Sequence, residues 1–217
     1  MKITLIYDSR IKDNEIYQSN LITLIDTTDF NLLDVNEENF LELLKADQGY
    51  IFNLADDGLP YLIGESSLPS LLEILEKNYF GSSPETILCA SNKVAHKQLI
   101  RESSILKIPK FLVVDKNLIS TPKIDFFPVI IKPVYTTGSI GITEKNIVYN
   151  ITELKNFIKT FDFQTFVIEE YIDGNECTIS SIGNDEDTTT LPVIWYACNT
   201  KNKVLTYEAK WKKDSTE

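Results

Sequence analysis

Apolar runs typical of β-strands alternate with helical patterns along the first 81 residues of this chain. KITLIYD (2–8), LITLID (21–26) and GYIFNLADDG (49–58) are predicted strands. NEENFLELLKAD (36–47) and SSLPSLLEILEKNYFG (66–81) carry apolar residues at helical spacing. Strands that alternate with helices favour a small parallel α/β domain, whose ligands bind at the carboxyl ends of the strands.

The pattern changes after Ser91, where an amphipathic helix, SNKVAHKQLIRES (91–103), is followed mainly by strands. One further helix, TELKNFIKTF (152–161), is predicted with Thr152 as its cap, and NDEDTTT (184–190) is a predicted hairpin tip. The second part is therefore predicted to be α+β with antiparallel strands. The predicted strands are FLVVD (111–115), FPVIIK (127–132), NIVYN (146–150), FVIEEY (166–171), ECTISSIG (176–183) and LPVIWYAC (191–198).

Composition and charge narrow the classes of function. The 217 residues are 43% hydrophobic, which is globular composition, and the formal charge of -11 disfavours nucleic acid or an anionic membrane as partner. One histidine and three separated cysteines, Cys89, Cys177 and Cys198, give little support to a zinc site or a histidine-based triad. Without a signal peptide or a long apolar span, we expect reduced thiols and a cytoplasmic location.

A lysine at the end of an apolar strand is the first candidate for binding chemistry. Lys132 ends FPVIIK and precedes the loop TTGSIG (136–141), whose glycines allow close backbone approach to an anion. The lysine and the loop could hold a triphosphate. The alternative is a plain hairpin tip with an edge lysine, and the P-loop pattern GxxxxGK[ST] is absent.

Two acidic or charged segments follow. FVIEEYIDGNE (166–176) ends a strand on Glu169 and Glu170, which point to opposite faces, so that at least one could face a cleft; solvated acids are the alternative. LTYEAKWKKDSTE (205–217) is interpreted as an alternating strand with Glu208 and Lys210 on one side, or as a charged edge strand.

Taken in order, these segments resemble the ATP-grasp superfamily, most closely its D-alanine–D-alanine ligase type. The resemblance implies an ATP-grasp fold that combines α/β and α+β parts: an N-terminal pre-ATP-grasp domain (1–88), a central subdomain (89–168) and the start of a C-terminal subdomain (169–217). The motifs that carry it are FNL (52–54), YFGSS (79–83), SNKVAHK (91–97), FPVIIKP with TTGSIGI, FVIEEYIDGNE, LPVI (191–194) and YEAKW (207–211).

The resemblance also implies ATP-driven ligation of a carboxylate to an amine through an acylphosphate, a role in peptidoglycan and cell-wall biogenesis, and the use of ATP and Mg²⁺. The implied partners are ATP and a small amino-acid-like substrate, without nucleic acid or membrane, and a homodimer is allowed. By motif match, Lys210 and Ser139 are the expected catalytic residues. The expected ATP-binding residues are Lys93, Lys132 and Lys210 for the phosphates, Thr137, Gly138, Ser139 and Gly141 in the loop, Glu169, Glu170, Tyr171 and Ile172 around adenine, and Glu176 at the ribose.

The chain departs from this family at several positions. Asp8 and Ser9 replace glycines after the first strand, where only Asp13 or Glu15 could supply the expected acid, and 53–67 lacks the expected histidine. Gly138 stands for a serine and Trp211 for a tyrosine. The ATP half of the pattern is thus kept better than the amino-acid half.

The sequence ends at Glu217, before the region expected to hold the magnesium ligands, so this chain taken literally is predicted not to catalyse ligation. A fragment of a longer ligase is the leading interpretation. A non-catalytic nucleotide- or partner-binding homologue and an ATP-grasp ligase with a different acceptor remain as alternatives.

Overall fold

The computed structural model describes residues 2–10, 23, 30–55, 58–59, 64–102, 105–118, 122–184, 187–197 and 203–212. The chain forms two compact units, residues 1–96 and 97–217. The strand predicted at 21–26 lies outside the described residues apart from Thr23. The three-way division at residues 88 and 168 stays a prediction.

The first unit contains a four-stranded parallel sheet within its described residues. Its order is β2-β1-β3-β4, and each neighbouring pair is parallel. The parallel α/β prediction is therefore confirmed, although β2 and β4 were not among the predicted strands. The strands are β1 Ile3–Tyr7, β2 Asn31–Asp34, β3 Tyr50–Asn53 and β4 Tyr79–Phe80.

Four described helices accompany this sheet or follow it along the chain. Leu44, Leu68 and Leu72 are fully buried and pack with Ile6 and Ile51 of the sheet, which explains the helical spacing of the leucines. The helix α3 was not predicted, although Ser83 caps it and a proline occupies its first position. The helices are α1 Phe40–Ala46, α2 Ser67–Ile74, α3 Pro84–Ser91 and α4 Lys93–Arg101, the last of which runs across the boundary between the units.

The second unit is built on an antiparallel sheet of order β5-β8-β6-β7, with the helix α5 packed on it. Phe166 and Ile168 of β8 and Leu154 of α5 are fully buried. The cap of α5 is Asn150 and not Thr152, because the Asn150 side chain accepts from the N–H groups of residues 152 and 153. The elements are β5 Phe111–Asp115, β6 Val129–Pro133, a 3₁₀ turn Glu144–Asn146, β7 Ile147–Val148, α5 Ile151–Thr160 and β8 Thr165–Glu170.

Two short antiparallel ribbons follow β8. The pair β10–β11 flanks residues 183–188, so Thr189 and Thr190 of the hairpin tip predicted at 184–190 belong to a strand instead. Their exposed strands are β9 Cys177–Thr178 paired with β12 Ile194–Trp195, and β10 Ser181–Ile182 paired with β11 Thr189–Thr190.

The strand expected near residue 208 is a helix in the structure, α6 Tyr207–Trp211. Thr206 caps it by accepting a hydrogen bond of 3.1 Å from the N–H of Ala209. Glu208 and Lys210 are two residues apart, and in a helix such residues point in nearly opposite directions. The prediction that both lie on one side was therefore wrong.

Among the described residues, none of the helices has the length and apolar character needed to cross a bilayer. Cys89 and Cys177 are free thiols, and Cys198 lies outside the described part of the chain.

Candidate functional site

Lys132 and Glu169 lie on adjacent strands and face each other. In the pairing of β6 with β8, Lys132 is opposite Val167 and Ile130 is opposite Glu169. Because side chains alternate along a strand, Lys132 and Glu169 are diagonal neighbours on the same face. The Nζ of Lys132 lies 3.0 Å from Oε2 of Glu169. The carboxylate of Glu169 therefore contacts Lys132, whereas the sequence analysis had expected Glu169 only near adenine.

A second lysine contacts the other oxygen of Glu169. The Nζ of Lys97, on α4, lies 3.0 Å from Oε1. This contact is ionic and lacks hydrogen-bond alignment. The Glu169 side chain is 3% exposed, against 15% for Lys97 and 31% for Lys132. Burial alone would raise the pKa of Glu169, but Lys132 and Lys97 outweigh it and hold that pKa below its ordinary value.

Lys97 was not predicted as a site residue. The sequence did contain a signal, since SNKVAHK places it four residues after Lys93 in an amphipathic helix. The sequence did not indicate its partner, because Glu169 lies far along the chain on β8, between β5 and β6.

The loop after Lys132 has an unusual backbone. Gly138, Ser139 and Gly141 all have positive φ, at 57°, 63° and 78°. A Cβ atom at position 141 would lie 2.6 Å from the ring of Phe163, so Gly141 is required both by conformation and by space. Gly141 was expected to let the backbone approach an anion closely. In the structure it is needed for the turn of the loop itself.

Buried Asn146 fixes the base of this loop. Its Nδ2 donates to the carbonyl oxygens of Ile131 and Gly141, both at 2.8 Å. Its Oδ1 accepts from the backbone N–H and the hydroxyl of Thr143, both at 2.9 Å. One amide thus joins β6, the loop and the following 3₁₀ turn.

The tip of the loop is bound to the segment that contains Lys210. The hydroxyl of Ser139 donates to the carbonyl oxygen of Leu205, and the indole Nε1 of Trp211 donates to the carbonyl oxygen of Gly138, both at 2.8 Å. Leu205 is itself buried. The structure therefore brings Ser139 close to the short helix of half-buried Lys210, and the catalytic roles of these two residues stay predictions. Thr137 lies in the same loop, and its carbonyl accepts from the N–H of Ile140.

The residues expected at adenine and ribose lie at the end of β8 and in the segment that follows it. The backbone N–H of Glu170 donates to the carbonyl oxygen of Lys110 at 2.8 Å. The backbone N–H of Tyr171 donates to the carbonyl oxygen of Pro128 at 2.9 Å. Burial, with Asp173 and Tyr149 nearby, raises the pKa of Tyr171. Ile172 is 63% exposed and Glu176 is exposed as well. The roles of Glu170, Tyr171, Ile172 and Glu176 stay predictions.

Asp8 follows β1 in the first unit and is bound by polar groups of Arg10 and Asn36. Asp8 is buried and accepts hydrogen bonds of 2.9 Å from the backbone N–H of Arg10 and the amide of Asn36. Burial opposes ionisation of Asp8, but these donors and the Arg10 guanidinium lower its pKa below the ordinary value. Lys93 begins α4 in this unit. Asp13 and Glu15 lie outside the described residues.

In the part of the chain that the structure describes, no group of three or more His, Cys, Asp or Glu side chains is arranged to hold a metal ion. The position of the magnesium ligands stays a prediction.

Comparison with known proteins identifies relatives of both units. A family model described as the D-ala D-ala ligase C-terminus matches residues 110–217. The D-alanine–D-alanine ligase of Petrotoga mobilis is 29% identical over all of this chain and 70% of its own length. That of Wolbachia pipientis is 32% identical over 86% of this chain and 57% of its own length. The chain spans about half, 49%, of the uncharacterized protein y4sG of Sinorhizobium fredii, at 31% identity.

Solved structures define the fold. The D-alanine–D-alanine ligase of Helicobacter pylori has a TM-score of 0.64 at 17% identity, covering 94% of this chain and 76% of that one. The Bacillus anthracis enzyme has a TM-score of 0.61 at 19% identity, covering 92% and 72%. The fold is therefore that of the ATP-grasp ligases, as predicted. The family model over residues 110–217 and these relatives support the D-alanine–D-alanine ligase type of that superfamily. This relationship supports an ATP-dependent ligase function, and the family generally uses ATP and Mg²⁺.

Proposed function

We propose that the second unit binds ATP and that the chain provides the nucleotide-binding part of a carboxylate–amine ligase. The observation that carries the proposal is the Lys132–Glu169 pair at the foot of the loop 136–141. A lysine ammonium has three donors, and Glu169 uses one of them. The side chain is 31% exposed, so it can meet a phosphate from solvent.

The residues around Lys132 fit a triphosphate. The loop supplies backbone N–H groups next to residues of positive φ, an arrangement common around bound anions. Lys210 adds a second positive charge on the segment that is hydrogen-bonded to this loop. Local positive charge is needed, because the chain as a whole is strongly acidic.

In the proposed mechanism, bound ATP supplies the phosphoryl group that activates a carboxylate for attack by an amine. Lys132 and Lys210 neutralise phosphate charge, and Ser139 positions the loop through its bond to Leu205. Residues 169–172 line the adenine site, and Glu176 accepts from the ribose hydroxyls. The contribution of these residues is thus positioning and charge neutralisation.

The remaining parts of the proposal follow the family relationship. We place the chain in the cytoplasm, acting on a small amino-acid-like substrate in peptidoglycan biogenesis, without nucleic acid or membrane as partner. A homodimer is compatible with this proposal. Mg²⁺ would accompany ATP.

A second candidate is a ligase of the same fold with a different acceptor. It is favoured by the start of the turn after β1, where Asp8 accepts hydrogen bonds from Arg10 and from Asn36 and stands in place of a glycine of the family's pattern. Such a turn would present a different surface to an amino acid. Both candidates share the ATP site and differ in the substrate alone.

Isothermal titration calorimetry with ATP and with GTP, each with Mg²⁺, tests the ATP site in this chain. We expect one ATP site and much weaker GTP binding. ADP release by the longest natural form of the protein, measured with D-alanine and with a panel of other amino acids, then separates the two candidates. ATP binding without amino-acid-dependent ADP release would indicate a non-catalytic module, and no ATP binding would contradict the proposal.

A further inference from the structure

We propose that Lys97 is a positioning residue of the phosphate site, which neutralises Glu169 so that Lys132 can turn from that carboxylate to an anionic ligand. The inference rests on the proposed ATP-binding function and assigns a role to a residue outside the expected site. Its basis is the shared carboxylate: Oε1 of Glu169 contacts Lys97 and Oε2 contacts Lys132, each at 3.0 Å.

The charges of this cluster explain why a second lysine is needed. Two ammonium groups and one carboxylate leave a net charge of one positive unit, which attracts a phosphate. Without Lys97, the carboxylate would cancel Lys132 and would repel the incoming anion from close range. A buried carboxylate is also costly without a partner, so Lys132 alone could not leave it.

Exposure distinguishes the roles of the two lysines. Lys132 is 31% exposed and Lys97 is 15% exposed, so Lys132 is better placed to exchange partners. Lys97 is held additionally by the ring of Phe111, whose centroid is 5.8 Å from its Nζ. Phe111 is opposite Glu169 in the pairing of β5 with β8. Lys97 therefore holds the carboxylate from the β5 side, and Lys132 approaches it from the β6 side.

The test measures dissociation constants for AMP, ADP and ATP by calorimetry without Mg²⁺, and uses the ratio of the AMP constant to the ATP constant. Contacts with adenine cancel in this ratio, so it reports the phosphate site. We expect Lys97→Met to lower the ratio about tenfold, since it removes one charge next to the phosphates. Lys97→Arg keeps that charge and should stay within about threefold of the wild type. Lys155→Met, which removes an exposed lysine of α5, is the matched control.

The double variant Lys97→Met/Glu169→Gln separates the possible roles of Lys97. If Lys97 acts through Glu169, removing the carboxylate as well should restore the ratio to within about threefold of the wild type. A double variant as poor as Lys97→Met would mean that Lys97 contacts phosphate directly and would overturn the proposal. Equal weakening of AMP and ATP by Lys97→Met, without rescue, would indicate a purely structural role and would overturn it too.

Two further outcomes distinguish this inference from the proposed function. If the wild type binds none of the three nucleotides, the ATP-binding function fails, and this inference fails with it. If the wild type binds ATP and Lys97→Met retains the wild-type ratio, only the role of Lys97 is refuted. Circular dichroism of every variant confirms folding, and the conservative Lys97→Arg variant keeps the test decisive should Lys97→Met fail to fold.

Discussion

The indole Nε1 of Trp211 donates a hydrogen bond of 2.8 Å to the carbonyl oxygen of Gly138, which joins two segments 73 residues apart in sequence. Ser139 adds a second bond, to the carbonyl of Leu205. The loop proposed to cover the phosphates and the helix of Lys210 are thereby held together. The position of the loop 136–141 should therefore depend on the side chain of Trp211.

Replacing Trp211 by Phe should loosen this loop, because phenylalanine keeps an aromatic ring but has no N–H to donate to Gly138. Hydrogen–deuterium exchange should be faster for the amides of residues 137–142, with a loss of stability of about 1 kcal/mol. Trp195→Phe is the matched control, since that tryptophan is 64% exposed on the β9–β12 ribbon. Unchanged exchange of residues 137–142 in the Trp211→Phe variant would show that the hydrogen bond from Trp211 to Gly138 does not order this loop.

Gly141→Ala should destabilise the second unit by about 2 kcal/mol or more, since alanine pays a steric cost at positive φ and its Cβ would meet the ring of Phe163. Gly174→Ala is the control: no atom lies within 4 Å of its added Cβ. Urea unfolding measures both variants. Equal effects at the two positions would contradict the described loop geometry.

Asn146→Ala should cost about 2 to 4 kcal/mol, because the buried carbonyl group of Ile131 and the partly buried one of Gly141 lose their donor. Asn156→Ala changes an exposed residue of α5 and should stay within about 0.5 kcal/mol of the wild type. Thermal or urea unfolding distinguishes them. A small effect of Asn146→Ala would mean that water replaces the amide at both carbonyls.

Stability should fall at acid pH partly through Glu169. The folded state lowers the pKa of this carboxyl from its ordinary value of 4.5, so its contribution is present above that value and is lost as pH falls through the lower folded pKa. Urea unfolding from about pH 6 to about pH 3 should therefore show the wild type losing its advantage over Glu169→Gln as pH falls. Asp8 and Asp34, whose pKa values are also lowered, act in the same direction in both proteins. A constant difference across this range would contradict the ion-pair account.

Much of the fold followed from local patterns. The apolar runs of β1, β6 and β8 and the leucine spacing of α2 are strong signals, since buried strands and amphipathic helices leave distinct periodicities. The helix α6 was predicted as a strand because YEAKW is only five residues long. Its polar and apolar residues also fit the alternation of a strand, and the sequence did not indicate that the Thr206 side chain caps a helix by accepting from the N–H of Ala209.

The candidate site was predictable to a smaller extent. Lys132 and the loop 136–141 stand out because a strand ends in a charge and then in small residues. The contacts of Lys97 with Glu169 and of Trp211 with Gly138 were not predictable, since each joins residues more than 70 positions apart and depends on tertiary packing. Local sequence patterns do not indicate which residues far apart in the chain come into contact.

The most direct test of the account is the affinity of Lys132→Met for ATP, measured by calorimetry with Mg²⁺ beside wild type and the exposed-lysine variant Lys155→Met. Glu169 keeps Lys97 as its partner, so circular dichroism should show a folded variant. The account predicts a loss of ATP affinity of about 100-fold or more in Lys132→Met, with Lys155→Met unchanged. Equal ATP affinity in all three proteins would show that Lys132 is only an edge charge and would contradict the proposed site.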